Sequence, residues 1–363
     1  MLNQHRVFVG GSLPIDYSLD DYGVFNNQFL KAIQKSPFII SSVKNADILI
    51  SINHSNSTYK SFMKSGKTKD QCILIRIEPN SVFPAQYSKR ITDKYGLIIS
   101  VGYKELDEGK YFYVGYPYSY LPNPNAQFTK GVSARQIIES NDFEETFKLK
   151  NWLNRKILIS LVASNKVSAI RKNNYSLRRD LACSFSKSTL NVYGDLWSPN
   201  VLKKIDHRIR VAIHALRNRT VPNLFSIYGS LFKKYKTFAG QIEDKQSYVK
   251  NSKFSLVVEN SNETVTEKLF DALINGSIPI YYGPELNDMG IPGYKISLIG
   301  ANQTNFIEDK LAKISDQDVS DYLNEIKSFL KSPSFLDYWT EESVYKKIIE
   351  KIQKFYQNHG KNT

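Results

Sequence analysis

Cysteine is nearly absent: the 363-residue chain has two, Cys72 and Cys183, far apart in sequence. That excludes a disulfide framework, and both thiols are expected to be ordinary buried side chains. Long hydrophobic runs are missing as well. No stretch approaches the roughly 20 apolar residues of a membrane-spanning helix. The opening MLNQHRVFVGGS is too poor in apolar residues for a signal peptide, so a cytoplasmic protein is expected. Acidic residues are in deficit, with 35 Asp and Glu against 49 Lys and Arg, for a net charge of +14. Such a charge favours polyanionic partners, whether nucleic acid, an anionic lipid surface or phosphorylated substrates. Zinc-ligand spacings, an RNP-like strand and a basic recognition helix are all lacking, which disfavours nucleic acid. Histidine is scarce at five, and His207 and His214 read as surface residues of a helix.

What is present is a two-domain α/β protein. Apolar residues make up 41% and charged ones 23%, the balance of a globular chain long enough for two cores. Aromatics reach 13% and read mostly as core. Apolar strands are expected at Arg6–Val9 (followed by a Gly10-Gly11 turn), Phe38–Val43, Ala46–Ile52, Cys72–Ile77 and Leu97–Val101. Phe25–Lys35 and Tyr87–Tyr95 read as helices, and Tyr111–Leu121 as an exposed edge or loop. Residues 126–156 lose periodicity and read as a linker. A second series starts with strand Ile157–Val162, a basic helix at Tyr175–Phe185, strand Leu190–Tyr193 and a helix plus loop over Ile205–Leu224. Amphipathic helices at Asp316–Leu330 and Glu342–Tyr356 end the chain. Strands alternating with helices predict doubly wound, mainly parallel sheets. The expected division is residues 1–150, 151–335 and a C-terminal helix and tail over 336–363.

The richest stretch is KFSLVVENSNETVTEKLFDALINGSIPIYYG, residues 253–283. It reads as strand, polar loop, helix and strand, a βαβ crossover. Thr264 and Thr266 are both plausible N-caps, Thr264 and Glu267 have capping-box spacing, and Gly276 is a natural helix stop. Lys268 stands out because a cation in a first helical turn opposes the helix dipole. A diphosphate beside it would reverse that sign; a surface pair with Asp271 is the alternative.

Glu259-Asn260-Ser261, then Thr266-Glu267-Lys268, then an Ala-x-x-x-Gly-x-Ile-Pro run ending at Gly283, resembles the donor-binding signature of the α-1,3-fucosyltransferases, glycosyltransferase family ten. Ser164-Asn165 with Arg171 and Tyr175, Val192-Tyr193-Gly194 with Trp197, and Arg76-Ile77-Glu78-Pro79 are similar to further segments of that family. Thr264 departs from it, standing where members usually carry Tyr.

The resemblance implies a GT-B fold, two facing Rossmann-like domains with a C-terminal helical segment, and inverting transfer of fucose from GDP-fucose to a glycan hydroxyl. Lipopolysaccharide or another surface glycan is the expected acceptor class. It implies Glu78 as general base. A carboxylate ending a buried strand can take a hydroxyl proton, although a pair with Arg76 would be the structural alternative. Arg171 is the first candidate to clamp the diphosphate, with Arg178 in reserve, while Lys166, Lys172 and Arg179 read as a solvated basic face. Glu267 is a candidate for the ribose hydroxyls. Glu259 and Asn260 lie where a sugar would sit, and Thr266 and Lys268 complete the donor set. No Asp-x-Asp motif stands in a suitable place, so metal-independent catalysis without a cofactor is expected. The partners expected are a GDP-sugar, a glycan and an anionic inner-membrane face met peripherally by the tail from Glu342. A GT-B transferase using another nucleotide sugar, exostosin-like, and a basic polyanion-binding protein are the alternatives.

Overall fold

The strands form where apolar runs are short, β-branched and closed by turn residues. The computed structural model describes residues 5–12, 25–121, 131–217, 224–228, 231–242, 244–298 and 307–359. The first sheet contains β1 (Arg6–Gly11), β2 (Ile39–Ile40), β3 (Ile48–Ile52), β4 (Cys72–Arg76), β5 (Leu97–Val101), β6 (Leu106–Glu108) and β7 (Tyr111–Val114). Their order is β2-β1-β3-β4-β5-β7-β6, parallel except for the β6–β7 hairpin. β3, β4 and β5 are buried at every position, which explains their unbroken apolar sequences.

β8 (Ser119–Tyr120) and β9 (Val132–Ser133) make a small antiparallel pair. The second sheet holds β10 (Ile157–Val162), β11 (Leu190–Tyr193), β12 (Phe238–Gly240), β13 (Ser252–Val258) and β14 (Ile278–Tyr282). It is wholly parallel, in the order β12-β11-β10-β13-β14. Strand order therefore reverses between β10 and β13, and sheets of this kind bind ligands at the carboxyl ends of the strands flanking such a reversal. The helix between β13 and β14 runs from Glu267 to Ile274. Gly276 follows it at φ +60°, a left-handed position suited to glycine.

The two cores are tied together by the chain's end. The helix Glu341–His359 returns to the first sheet, where Val344, Ile348 and Ile352 are buried in its core. Val265 N donates to Gly102 O at 2.9 Å, and Ser168 Oγ to Ser81 O at 2.6 Å, so the walls of the cleft touch directly.

Several expectations are corrected. β1 runs straight through Gly10 and Gly11 instead of turning there; a Cβ on Gly11 would stand 1.9 Å from Ile52 O. Tyr111–Val114 is an interior strand because the β6 hairpin covers it, and Tyr118 is fully buried. The segment read as a linker places Ala134, Ile138, Phe143, Phe147 and Trp152 in the second core, from three short helices with too few turns to show a period; residues 126–130 lie outside the described residues. Tyr87–Tyr95 is a 3₁₀ turn (Pro84–Tyr87) and one short helix (Lys89–Thr92). Cys72 is buried as expected, but Cys183 is exposed on its helix.

Candidate active site

At the reversal between β10 and β13 the sheet leaves a gap, and Arg178 fills it. This residue projects from the helix Tyr175–Ser184 and is 2% exposed. Its guanidinium donates to Val258 O at 2.6 Å, to Ser164 O at 3.3 Å and to Asn260 Oδ1 at 3.3 Å. It thus bridges the two strand ends. Nε is buried without a hydrogen-bond partner. Burial draws the Arg178 pKa down, against the pull of Tyr175, Glu259 and Glu267. Leaving such a donor unpaired is costly, so the free Nε marks a place for an acceptor.

The start of the next helix is organised by Glu259. Its carboxylate is fully buried and accepts from Thr266 N at 2.9 Å and Thr266 Oγ1 at 2.6 Å. Of the two expected N-caps Thr266 is the one used, so the Thr264–Glu267 capping box does not form and Thr264 Oγ1 is buried with no partner. Lys268 Nζ donates to Thr266 Oγ1 at 2.8 Å and lies 3.7 Å from Glu259 and 3.5 Å from Glu267. Its side chain is only 14% exposed, so the surface pair with Asp271 does not exist. Asp271 instead pairs with buried Lys245 and accepts from Tyr118 Oη at 3.0 Å and Gln246 Nε2 at 2.8 Å. Burial pushes the Glu259 pKa up, opposed by Lys268 and the two Thr266 bonds. Burial would raise Glu267 too, but Lys268 and Lys245 prevail and hold it at about 2. Glu267 is therefore a carboxylate at neutral pH, and its side chain stays 37% open to solvent.

Glu78 faces this cluster from the other domain. It follows β4, where Asn53 Oδ1 accepts from the Ile77 and Glu78 amides and so fixes the chain's exit from the sheet. Gln86 Nε2 and Tyr87 Oη both donate to Glu78 O. With the backbone pinned, the carboxylate itself has no hydrogen-bond partner among the described residues. Burial raises its pKa, Lys166 and Lys268 lower it, and Glu267 raises it again. All three neighbours belong to the second domain, so Glu78 is electrostatically coupled to the Lys268 cluster across the cleft. A pair with Arg76 does not form, because that guanidinium donates to Ser100 Oγ and stacks on Tyr87.

No family model and no curated sequence matches the chain. Solved structures do. The Anabaena protein HepE in complex with UDP-glucose superposes at a TM-score of 0.51 and 8% identity, over 97% of this chain and all of that one. An α1,3-fucosyltransferase reaches 0.48 at 15% identity, over 98% and 91% of the two chains. WaaG, a glycosyltransferase involved in lipopolysaccharide biosynthesis, reaches 0.46 at 10% identity, over 96% and 99%. The fold is GT-B.

Within this GT-B frame, Arg178, Glu259, Asn260, Thr266, Glu267 and Lys268 converge at one strand edge, with Glu78 opposite. Arg171 is not brought in: it is exposed on the loop after β10, and its guanidinium has no partner among the described residues. Arg179 is no part of a solvated face, being 6% exposed and bonded to Lys166 O at 3.1 Å. His207 is half-buried with its Nε2 unpartnered, not a surface residue. Sequence reasoning missed Lys245, Gln246 and Tyr118, whose bonds to Asp271 span more than a hundred residues in the case of Tyr118. Among the described residues no cluster of His, Cys, Asp and Glu could hold a metal ion.

Proposed function

We infer that the protein is a glycosyltransferase that moves a sugar from a nucleotide-diphosphate donor to a hydroxyl of a glycan, with GDP-fucose as donor and an α-1,3 linkage as product. One observation carries the reading: a hydrogen-bond-free carboxylate, Glu78, faces a buried Arg–Glu–Thr–Glu–Lys cluster at the strand reversal of the opposing domain. The resemblance of Glu259-Asn260-Ser261 and Thr266-Glu267-Lys268 to the fucosyltransferase donor signature supports the donor assignment. Neighbours of the same fold are described with GDP-fucose, GDP and UDP-glucose, which makes the base of the nucleotide the point to test.

In this reading the acceptor oxygen attacks the anomeric carbon as the bond from that carbon to the β-phosphate oxygen breaks. Glu78 takes the hydroxyl proton, and the nucleoside diphosphate leaves. Arg178 Nε, Lys268 Nζ and the first amides of the Glu267–Ile274 helix stabilise the developing phosphate charge. Arg171, exposed on the loop after β10 and outside the cluster, is the alternative contact for the same diphosphate. Protein cations supply this stabilisation without a metal, so EDTA should leave turnover unchanged. The deciding experiment is a thermal-shift comparison of GDP with UDP, followed by turnover with GDP-fucose, GDP-mannose and UDP-glucose. GDP should raise the melting temperature and GDP-fucose should be consumed. Stabilisation by UDP alone would replace the donor; stabilisation by neither would remove the transferase reading.

A further inference from the structure

The helix Val201–Arg217 leaves an apolar stripe uncovered. Leu202, Ile209, Ile213 and Leu216 fall at i, i+7, i+11 and i+14, which places them on one side of an α-helix. Leu202 is 78% exposed and Leu216 64%. The opposite side carries the buried residues Lys204, Arg208 and Ala215, so the stripe is not the helix's core face. Leu224 and Phe232, the latter 77% exposed, add to the same region of sequence. Seven of the thirteen exposed large apolar or aromatic side chains among the described residues lie between Leu202 and Phe232. A concentration of this kind marks an interaction surface and not ordinary scatter.

Charge identifies the occupant. From Val201 to Lys236 the sequence has nine Lys and Arg and one Asp, a net +8 out of the chain's +14. Exposed Lys203 and Arg210 border one side of the stripe, paired with Asp195 and Asp206, and exposed Lys233, Lys234 and Lys236 follow Phe232. An apolar stripe bordered by cations fits a bilayer whose headgroups are anionic, with the side chains entering the acyl boundary. The C-terminal helix cannot serve in this way, because its apolar face is already buried against the first sheet. No helix among the described residues is long and apolar enough to cross a membrane, so contact would be made in the plane of the surface.

We propose that the Leu202–Leu216 stripe, with Phe232 and the exposed Lys233, Lys234 and Lys236, forms a docking face for an anionic lipid surface. The helix that carries the stripe reaches the cleft with another of its sides: His214 packs its ring on Phe83, 5.1 Å between centroids, five residues after Glu78. Docked this way, the protein holds the mouth of the cleft near the headgroups, where a lipid-linked saccharide presents its hydroxyls. That last step rests on the transferase reading; the docking itself does not.

The test is co-sedimentation of the full chain with phosphatidylglycerol–phosphatidylcholine vesicles and with pure phosphatidylcholine vesicles, across a salt series. Binding should require the anionic lipid and weaken as salt rises. The variant L202S/L216S/F232S, altered only at exposed positions, should keep the wild-type melting temperature and lose affinity by about tenfold or more. Lys346→Glu, an exposed change on the C-terminal helix, should bind as wild type. No sedimentation with anionic vesicles overturns the proposal, as does a triple variant that binds normally. A concentration-dependent dimer that the triple variant abolishes, without vesicle binding, assigns the face to a second copy and overturns it too. Because no nucleotide is needed, a negative result here leaves the GDP test untouched.

Discussion

Glu78 combines a pinned backbone with a free carboxylate, the arrangement a general base needs. Glu78→Gln keeps the size and removes the proton acceptor, so turnover should fall by roughly 10²–10⁴-fold while GDP affinity holds. Near-normal turnover would place the base elsewhere. Because burial raises the Glu78 pKa, turnover of the wild type should climb with pH through that raised value, and Glu78→Gln should flatten this limb. Lys268 carries a different expectation. Its ammonium sits beside the fully buried Glu259, so Lys268→Ala leaves that carboxylate with the Thr266 bonds alone. Stability should drop by about 1–3 kcal/mol along with donor affinity; an unchanged melting temperature would show that Thr266 suffices. Arg178 and Arg171 separate in the same way. Removing buried Arg178 should lower both stability and GDP affinity, whereas Arg171→Ala should leave the melting temperature alone. If Arg171→Ala costs more GDP affinity than Arg178→Ala, the exposed arginine is the main phosphate contact.

At the scale of elements, what could be read from sequence was whatever one strand or one helix decides for itself. β4, β5, β10, β11 and the β13–helix–β14 unit were legible because their apolar runs are short, mostly buried and followed within a few residues by Gly, Pro or Asn. The helices between Ala134 and Leu153 were not, since five or six residues show no period and only the finished core reveals which side they bury. The same limit applies to the site. Glu259, Thr266 and Lys268 could be found from their order along one loop, but the Lys245–Asp271–Tyr118 cluster depends on tertiary pairing. Gly102 is an element-scale test. It stands at φ +87° directly after β5, and a Cβ there would lie 2.6 Å from Val265 O in the facing loop. Gly102→Ala should cost about 1–2 kcal/mol from its backbone alone and break the Val265–Gly102 bond. Donor affinity should weaken with it, as the Asn260–Thr266 loop loses its brace, and hydrogen exchange at Val265 should rise.

For the whole molecule, the joint between the domains is where the chain crosses back at Thr340 and Glu341. Thr340 bridges Tyr118, Glu341 N donates to Tyr118 O at 3.2 Å, and Arg135 pairs with Glu342. Everything that holds the C-terminal helix on the first sheet starts here. Glu341 is 9% exposed, and burial pushes its pKa up to about 8, with Glu342 adding to the shift. An unfolded glutamate titrates near 4.5. The folded state therefore holds the proton more tightly, and its contribution to stability is full below about 4.5 and lost as pH rises towards 8. The wild type should lose on the order of 5 kcal/mol over that window from this group. Glu341→Gln cannot ionise, so its melting temperature should exceed that of the wild type at pH 8 and converge with it near pH 5. Since the helix covers Val344, Ile348 and Ile352, the loss should be felt first in the first domain, as earlier exchange of amides in β5 and β7 at high pH. Parallel melting curves for the two proteins across this pH range would mean that Glu341 finds a proton donor or water that spares it the cost of burial.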